Sequence, residues 1–366
     1  MLLEKRMSKL KQWMKDSDID IIMCQTRANV FYYSGFDTDP HERLVAIFIP
    51  QNDQPFMVCP GMEVNQVQSI FSTGEIIGYT DTENPWEKIN NALRSRNLSP
   101  NKMAIEKLLS WERVKYLTQI CPLTELIEVD EVVLNSRLIK SDDEIRNLRE
   151  AAKLADYGIQ VGIGALKEGI TELEVLATIE FELKKAGIRE MSFSTMVLFG
   201  EKGGDPHGNP GDRKLKKGDS VLFDLGVVWQ GYCSDITRTV FFDHVTDHDK
   251  NIYEAVLQAQ QAALNECEPG NPISNLDKAA RGFFKGVGLD GYFPHRIGHG
   301  LGIEVHEFPS LNETNDEPLQ AGITLTIEPG LYIPNKVGVR IEDDVLITED
   351  GYETLTKFPK ELTIVP

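Results

Sequence analysis

The chain has 366 residues, 41% of them hydrophobic and 26% charged, an ordinary globular composition and long enough for two domains at roughly 100–200 residues each. Lys and Arg total 38 against 57 Asp and Glu, a formal net charge of −19. That acidity, with no basic cluster set against it, excludes a nucleic-acid backbone or an anionic membrane surface as the natural partner. It leaves a solvated acidic surface, or carboxylates that are buried and balanced by metal cations.

In chain order, the start Met1-Leu2-Leu3-Glu4-Lys5-Arg6-Met7 reads as an amphipathic helix rather than a signal peptide, for it lacks an uninterrupted apolar core and a small-residue cleavage site. No apolar run reaches the ~18–20 residues that span a bilayer. Residues 1–135 read as an N-terminal α/β domain. Short strands are expected at Ile19–Met23, Lys102–Ile105 and Leu126–Val129, a hairpin at Leu44–Ile49 and Phe56–Val58, and a helix from Pro85 towards Leu93. The five cysteines, Cys24, Cys59, Cys121, Cys233 and Cys267, are odd in number and widely spaced, which fits reduced thiols in a cytoplasmic protein better than a disulfide framework.

From residue 136 to 366 the pattern changes. Ser141-Asp142-Asp143-Glu144 and Thr171-Glu172-Leu173-Glu174 are capping boxes, predicting helices over Asp142–Ala165 and from Thr171 to about Ala186, the second stopped by Gly187. Extended stretches follow at Val221–Val228 and Tyr232–Phe242. Two more helices, Lys250–Cys267 and Leu276–Val287, precede a second extended pair, Thr324–Ile333 and Gly338–Thr348. Helix, helix, hairpin thus occurs twice, a coarse duplication that would set a site between the hairpins.

Each hairpin carries acids where strands normally exclude them. In the first, a Trp229-Gln230 turn would put Asp224 opposite Asp235, and a Gln230-Gly231 turn would put Asp235 opposite Gly226; both registers leave the two carboxylates on one face. In the second, a turn centred on Asn335 makes Glu328 and Glu342 opposite, with Arg340 on the same face. Like charges that close are costly unless a cation or an arginine offsets them. Between the hairpins, His295, His299 and His306 fall in one short Gly-rich stretch.

Asp224, Asp235, His299, Glu328 and Glu342, set in Phe223-Asp224-Leu225-Gly226, Ser234-Asp235-Ile236-Thr237-Arg238, Gly298-His299-Gly300-Leu301-Gly302, Ile327-Glu328-Pro329-Gly330 and Val339-Arg340-Ile341-Glu342-Asp343, resemble the metal-ligand motifs of the "pita-bread" metallopeptidases. That family includes methionine aminopeptidase, aminopeptidase P and prolidase. The resemblance implies an α+β chain: a pita-bread catalytic domain of duplicated helix-helix-hairpin units over 136–366, behind a smaller creatinase-like α/β domain over 1–135, as in prolidases and aminopeptidases P. It implies two divalent metal ions per subunit held by the five ligands, with Asp235 and Glu342 bridging. Four carboxylates and one imidazole suit Mn²⁺ first, with Co²⁺, Fe²⁺ or Zn²⁺ as alternatives.

The implied chemistry is hydrolysis by a metal-activated hydroxide. Glu328 would take a proton from the water, His207 would shuttle protons or hold substrate, and His295 and His306 would contact substrate and steady the tetrahedral oxyanion. Arg340 would hold the carboxylates. The loop Asp37–Arg43 resembles one in bacterial prolidases that reaches the partner subunit's active site, so His41 or Arg43 would meet the substrate carboxylate. The resulting expectation is a cytoplasmic, homodimeric Xaa-Pro dipeptidase. The alternatives are an aminopeptidase P acting on longer Xaa-Pro peptides, and a creatinase-like or purely binding protein of the same fold.

Overall fold

The computed structural model describes residues 2–366, so Met1 of the expected leading helix lies outside the described residues. The chain divides into two compact units, Met1–Arg137 and Leu138–Pro366. Among the described residues no helix is long and apolar enough to cross a membrane.

The first unit is built on a six-stranded sheet, ordered 75–79, 56–60, 46–50, 21–24, 102–105 and 125–128. The expected hairpin is present, with Ala46 opposite Val58, and the strand at 21–24 pairs parallel to 102–105. Ile21, Met23, Phe48, Phe56 and Val58 pack with Trp86, Ile89 and Leu93 of the helix Pro85–Ser95, which Asn84 caps through a 2.9 Å bond from the Trp86 amide. The helix Arg27–Ser34 is an addition to the sequence-based expectation. Six of its eight residues are buried, so it shows almost no polar face to read.

The second unit carries the duplication. In its first half the helices Asp142–Ala165 and Glu172–Lys185 pack on a four-stranded sheet of 364–365, 236–242, 220–225 and 196–199. Both capping boxes form: Glu144 accepts from the Ser141 amide at 2.9 Å, and Thr171 and Glu174 bond reciprocally at 2.8 and 3.2 Å. Ala151, Ala155 and Ile159 meet Val175, Ile179, Phe223 and Leu225 in one core. In the second half Asp247–Leu264 and Ile273–Gly286 cover a five-stranded sheet of 307–311, 298–300, 324–327, 343–348 and 351–354. Val256, Ala259 and Leu276 pack there on Leu325, Ile327 and Val345. Both helices start about three residues earlier than the pattern predicts, because Thr246 caps the first and Pro272 precedes the second.

The long helix lies close to the strand bearing Asp224. A Cβ on Gly162 would come within 2.7 Å of the Phe223 ring and 2.9 Å of Ile179. Gly162→Ala gains ~1 kcal/mol of helix propensity but overpacks the core by ~1–3 kcal/mol. The expected outcome is a lower thermal midpoint, whereas Gly164→Ala, with open space around it, should raise it.

Candidate metal centre

The first hairpin adopts the second of the two expected registers. Thr237 lies opposite Asp224, Tyr232 opposite Trp229, and Gln230 and Gly231 both take positive φ as a two-residue primed turn requires. The second hairpin keeps the Asn335-centred register from Gly330↔Arg340 to Ile327↔Asp343.

Both ladders break at acids, Asp235 in the first and Glu328 and Glu342 in the second, while Asp224 stays within its strand opposite Thr237. Asp235 stands just outside the pairing that begins at Ile236↔Leu225, and a Cβ on the facing Gly226 would run into the Ser234 carbonyl. Glu328-Pro329 and Ile341-Glu342 fall in the step between the two paired stretches. Pro329 has no amide to give, which keeps that step open. The continuous strands expected at 324–333 and 338–348 are therefore each two strands with a gap.

The gaps let the side chains converge. Asp235, His299 and Glu342 each offer a ligand atom within 4.8 Å of the others. His299 Nε2 lies 3.4 Å from Glu328 Oε1 and 3.8 Å from Asp235 Oδ2. His299 Nδ1 donates to the Gly300 carbonyl at 3.1 Å, leaving the Nε2 lone pair turned to the acids, the tautomer a metal ligand needs. Asp224 accepts from Arg340 Nη2. Arg340 Nε donates to Thr237 Oγ1 at 3.0 Å, and Thr237 in turn donates to Glu342 Oε2 at 2.6 Å.

The charge is under-compensated. Burial, then Glu342, Asp224, Asp344 and Glu328, raises the Asp235 carboxyl far above its ordinary range. Burial and then Glu328 and Asp224 do the same to Glu342. Burial pushes Glu328 up to about 7, with Arg340 opposing and Asp224 reinforcing. Asp235 Oδ1 is buried with no hydrogen-bond partner. A buried carboxylate oxygen without a donor, among like charges, fits a divalent cation, and four oxygen-bearing side chains with one imidazole favour a hard or borderline ion.

These groups line a cavity of about 390 Å³ together with His207, His295, Arg296, His306 and Tyr332. Phe193, Met196 and Val305 supply its apolar wall. His306 stacks edge-on against His299 at 4.1 Å between ring centres, and burial followed by Arg296 holds its pKa below the ordinary value. His295 has both ring nitrogens engaged: Nδ1 with the Arg296 carbonyl at 2.8 Å and Nε2 with the Tyr332 hydroxyl at 2.9 Å. Burial lowers its pKa to about 4, so the ring is neutral, donating from Nδ1 and accepting at Nε2. Tyr332 also accepts from Arg340 Nη1 at 2.7 Å, so His295, Tyr332, Arg340 and Asp224 form one chain.

His41 and Arg43 are not among the lining residues; Arg43 pairs with Asp81 at 3.1 Å and Glu42 at 3.3 Å in the first unit. Sequence reasoning missed Thr237, Arg296 and Tyr332. Thr237 alone had a readable signal, since the second register puts it opposite Asp224.

The fold and site define a two-domain metallohydrolase with an acidic metal-type centre. The model for "Metallopeptidase family M24" matches residues 146–349, and that for "Creatinase/Prolidase N-terminal domain" matches residues 6–139, so the chain belongs to metallopeptidase family M24. It is 54% identical over 361 residues to a Bacillus subtilis protein named "Putative dipeptidase YkvY", covering 98% of this chain and 99% of that one. Among solved structures it resembles a prolidase from Pyrococcus horikoshii OT3, with a TM-score of 0.91, 33% identity and coverage of 98% and 99% of the two chains. It also resembles an X-Pro aminopeptidase from Thermotoga maritima MSB8, with a TM-score of 0.87, 28% identity and coverage of 95% and 98%. The M24 family uses divalent metal ions, consistent with the cluster described.

Two outcomes follow from the charge. Because Glu328 is raised from 4.5 to about 7 in the folded state, the folded protein holds a proton that the unfolded chain has lost between those values. In the presence of a chelator, stability should be fullest below pH 4.5 as far as this group is concerned, and fall as pH rises through about 7. Melts across that window check it. Asp235→Asn should stabilise the chelated protein at pH 8 by on the order of 1–3 kcal/mol and abolish the further rise in melting point that Mn²⁺ gives the parent.

Proposed function

We propose that the chain is an Xaa-Pro dipeptidase that holds two divalent ions, Mn²⁺ first, on Asp224, Asp235, His299, Glu328 and Glu342. The observation that carries this reading is the convergence of the five groups at a cavity that also holds a cationic side chain, Arg296. Bound divalent ions would supply Lewis acidity, lowering the pKa of a water and polarising the scissile carbonyl.

The chain's own groups do the rest. Glu328 faces the cavity and accepts the proton of the attacking water. His306 and His207 supply donors for the oxyanion and the leaving imino nitrogen. His295 acts through Tyr332 to hold Arg340, which keeps the Asp224 carboxylate in place. Phe193, Met196 and Val305 offer an apolar surface to the side chain and the proline ring.

A dipeptidase must also recognise a free carboxylate next to the proline. Arg296 suits that role. It lines the cavity, half-buried, and Ser310 Oγ holds one of its amino groups at 2.9 Å. His41 and Arg43, in a homodimeric cytoplasmic enzyme, are the second candidates on resemblance alone. The five free cysteines fit a reducing compartment.

The test is steady-state hydrolysis of Ala-Pro and Ala-Pro-Ala after chelation and reconstitution with graded Mn²⁺. The expected result is strictly metal-dependent cleavage, with kcat/KM higher on the dipeptide. Faster tripeptide turnover would make the chain an aminopeptidase P, and no turnover of either at saturating metal would favour a binding protein. Arg296→Met should raise KM for Ala-Pro roughly tenfold or more with kcat little changed, while Arg43→Ala has the smaller effect.

A further inference from the structure

The loop that carries His207 into the cavity has no regular structure over 205–213, yet the segment 199–211 around it is tied at both ends to one buried group. Glu172, the first residue of its helix, is fully buried. Its Oε1 accepts from the Phe199 amide at 2.9 Å, where the preceding strand ends. Its Oε2 accepts from the Gly211 amide at 2.8 Å, on the far side of His207, and from Lys202 Nζ at 2.5 Å. Lys202 also donates to the Asn209 carbonyl at 2.8 Å, a strut across the loop itself. The opposite flank has no room to shift: a Cβ on Gly338 would run into the Gly203 carbonyl, and one on Gly204 would lie 2.8 Å from the Ile333 carbonyl. The segment is thus pressed on one side against the 330–340 hairpin, at Gly203 and Gly204, and cross-braced on the other by Glu172 and Lys202.

We propose that Glu172 and Lys202 are positioning residues for the reaction: the buried Glu172 carboxylate and its half-buried Lys202 partner close the 199–211 segment and so fix His207 against the substrate. The inference rests on the role given to His207 above. Neither residue is among those lining the cavity, and neither belongs to the metal cluster. Their effect should therefore travel through the loop residues that do line it, His207 and its neighbour Pro206. A charge-assisted bond at the foot of a loop is well suited to this: loss of Glu172 leaves Lys202 and the Phe199 and Gly211 amides without their acceptor and frees both ends, whereas loss of Lys202 removes the strut to Asn209 and leaves Glu172 held by the two amides alone. Small displacements of a substrate-facing group cost rate steeply.

The experiment uses the Mn²⁺-loaded full chain. Lys202→Met is the principal variant, since Lys202 is partly exposed and its loss is less apt to prevent folding than that of Glu172; Glu172→Gln is the second. Expected are a loss of about tenfold to a hundredfold in kcat/KM on Ala-Pro, recovery in Lys202→Arg, and faster amide exchange over 200–211. Mn²⁺ affinity, read by chelator competition, should be unchanged. In a His207→Ala background Lys202→Met should cost little more, since the two losses share one route. Full additivity in that background, weakened Mn²⁺ binding, or unchanged exchange over 200–211 would overturn the positioning role. Failure of the functional reading is separable: the parent would then cleave no dipeptide, or His207→Ala would leave cleavage intact, whereas amide exchange would still report the brace.

Discussion

Everything in the second unit is arranged around mutual repulsion. Asp224, Asp235, Glu328 and Glu342 are drawn together with the Arg340 guanidinium among them. Two unit charges about 4 Å apart interact with roughly 4 kcal/mol at the effective dielectric of a protein interior near its surface. Several such pairs rival the ~5–15 kcal/mol that holds a domain together. Asp235, Glu328 and Glu342 therefore either keep protons well above their ordinary pKa or take up cations, and Glu328 at about 7 marks that balance. The surrounding framework must hold the repelling groups in place whichever form they take.

The duplicated halves provide that framework. Each half lays two helices on strands, and each interrupts its hairpin at an acid, Asp235 facing Gly226 in one and Glu328 beside Pro329 in the other. A continuous ladder would send alternate side chains to opposite faces and keep the backbone committed to pairing. The breaks release the chain where the side chains must turn inward. Thr237 then joins the halves: its hydroxyl accepts from Arg340 and donates to Glu342, both on the other hairpin.

Much of this was legible because it is written in local rules. Ser141 and Thr171 announce their helices three residues ahead of Glu144 and Glu174, and Asn335 sets the second register because its left-handed φ suits the turn. Acids inside apolar strands are conspicuous because strands exclude them. What stayed hidden depends on tertiary contact. Tyr332 is an ordinary strand aromatic until His295 and Arg340 are seen on its hydroxyl. Arg296 is one arginine among many until the cavity surrounds it. The helix Arg27–Ser34 has no polar stripe because Asn29 is itself buried, donating to Glu106.

The run Glu342-Asp343-Asp344 shows how a buried acid's partners reveal what it does. The three are adjacent, all buried, and identical in charge. Asp343 is enclosed by donors: Arg238 at 2.6 Å, Lys360 at 2.7 Å, Gln260 at 2.9 Å and Thr356 at 2.9 Å. Burial would raise its pKa, yet Arg238 and Lys360 pull it below the ordinary value, so it stays ionised at any working pH and acts as a structural anchor. Arg238, held by that anchor, also donates to the Glu342 carbonyl and so fixes the backbone of the neighbouring acid. Asp344 accepts from the Asp235 amide at 3.1 Å, steadying the acid on the opposite hairpin by its main chain. Glu342 accepts from the Thr237 hydroxyl and otherwise faces Glu328, Asp224 and the Arg340 guanidinium, with Asp235 and His299 beside it. The three adjacent acids thus divide by their surroundings: Asp343, its charge met by donors, supports the fold; Asp344, raised by burial and with Oδ1 unpartnered, holds the Asp235 backbone; and Glu342, which converges with Asp235 and His299, is where a cation belongs.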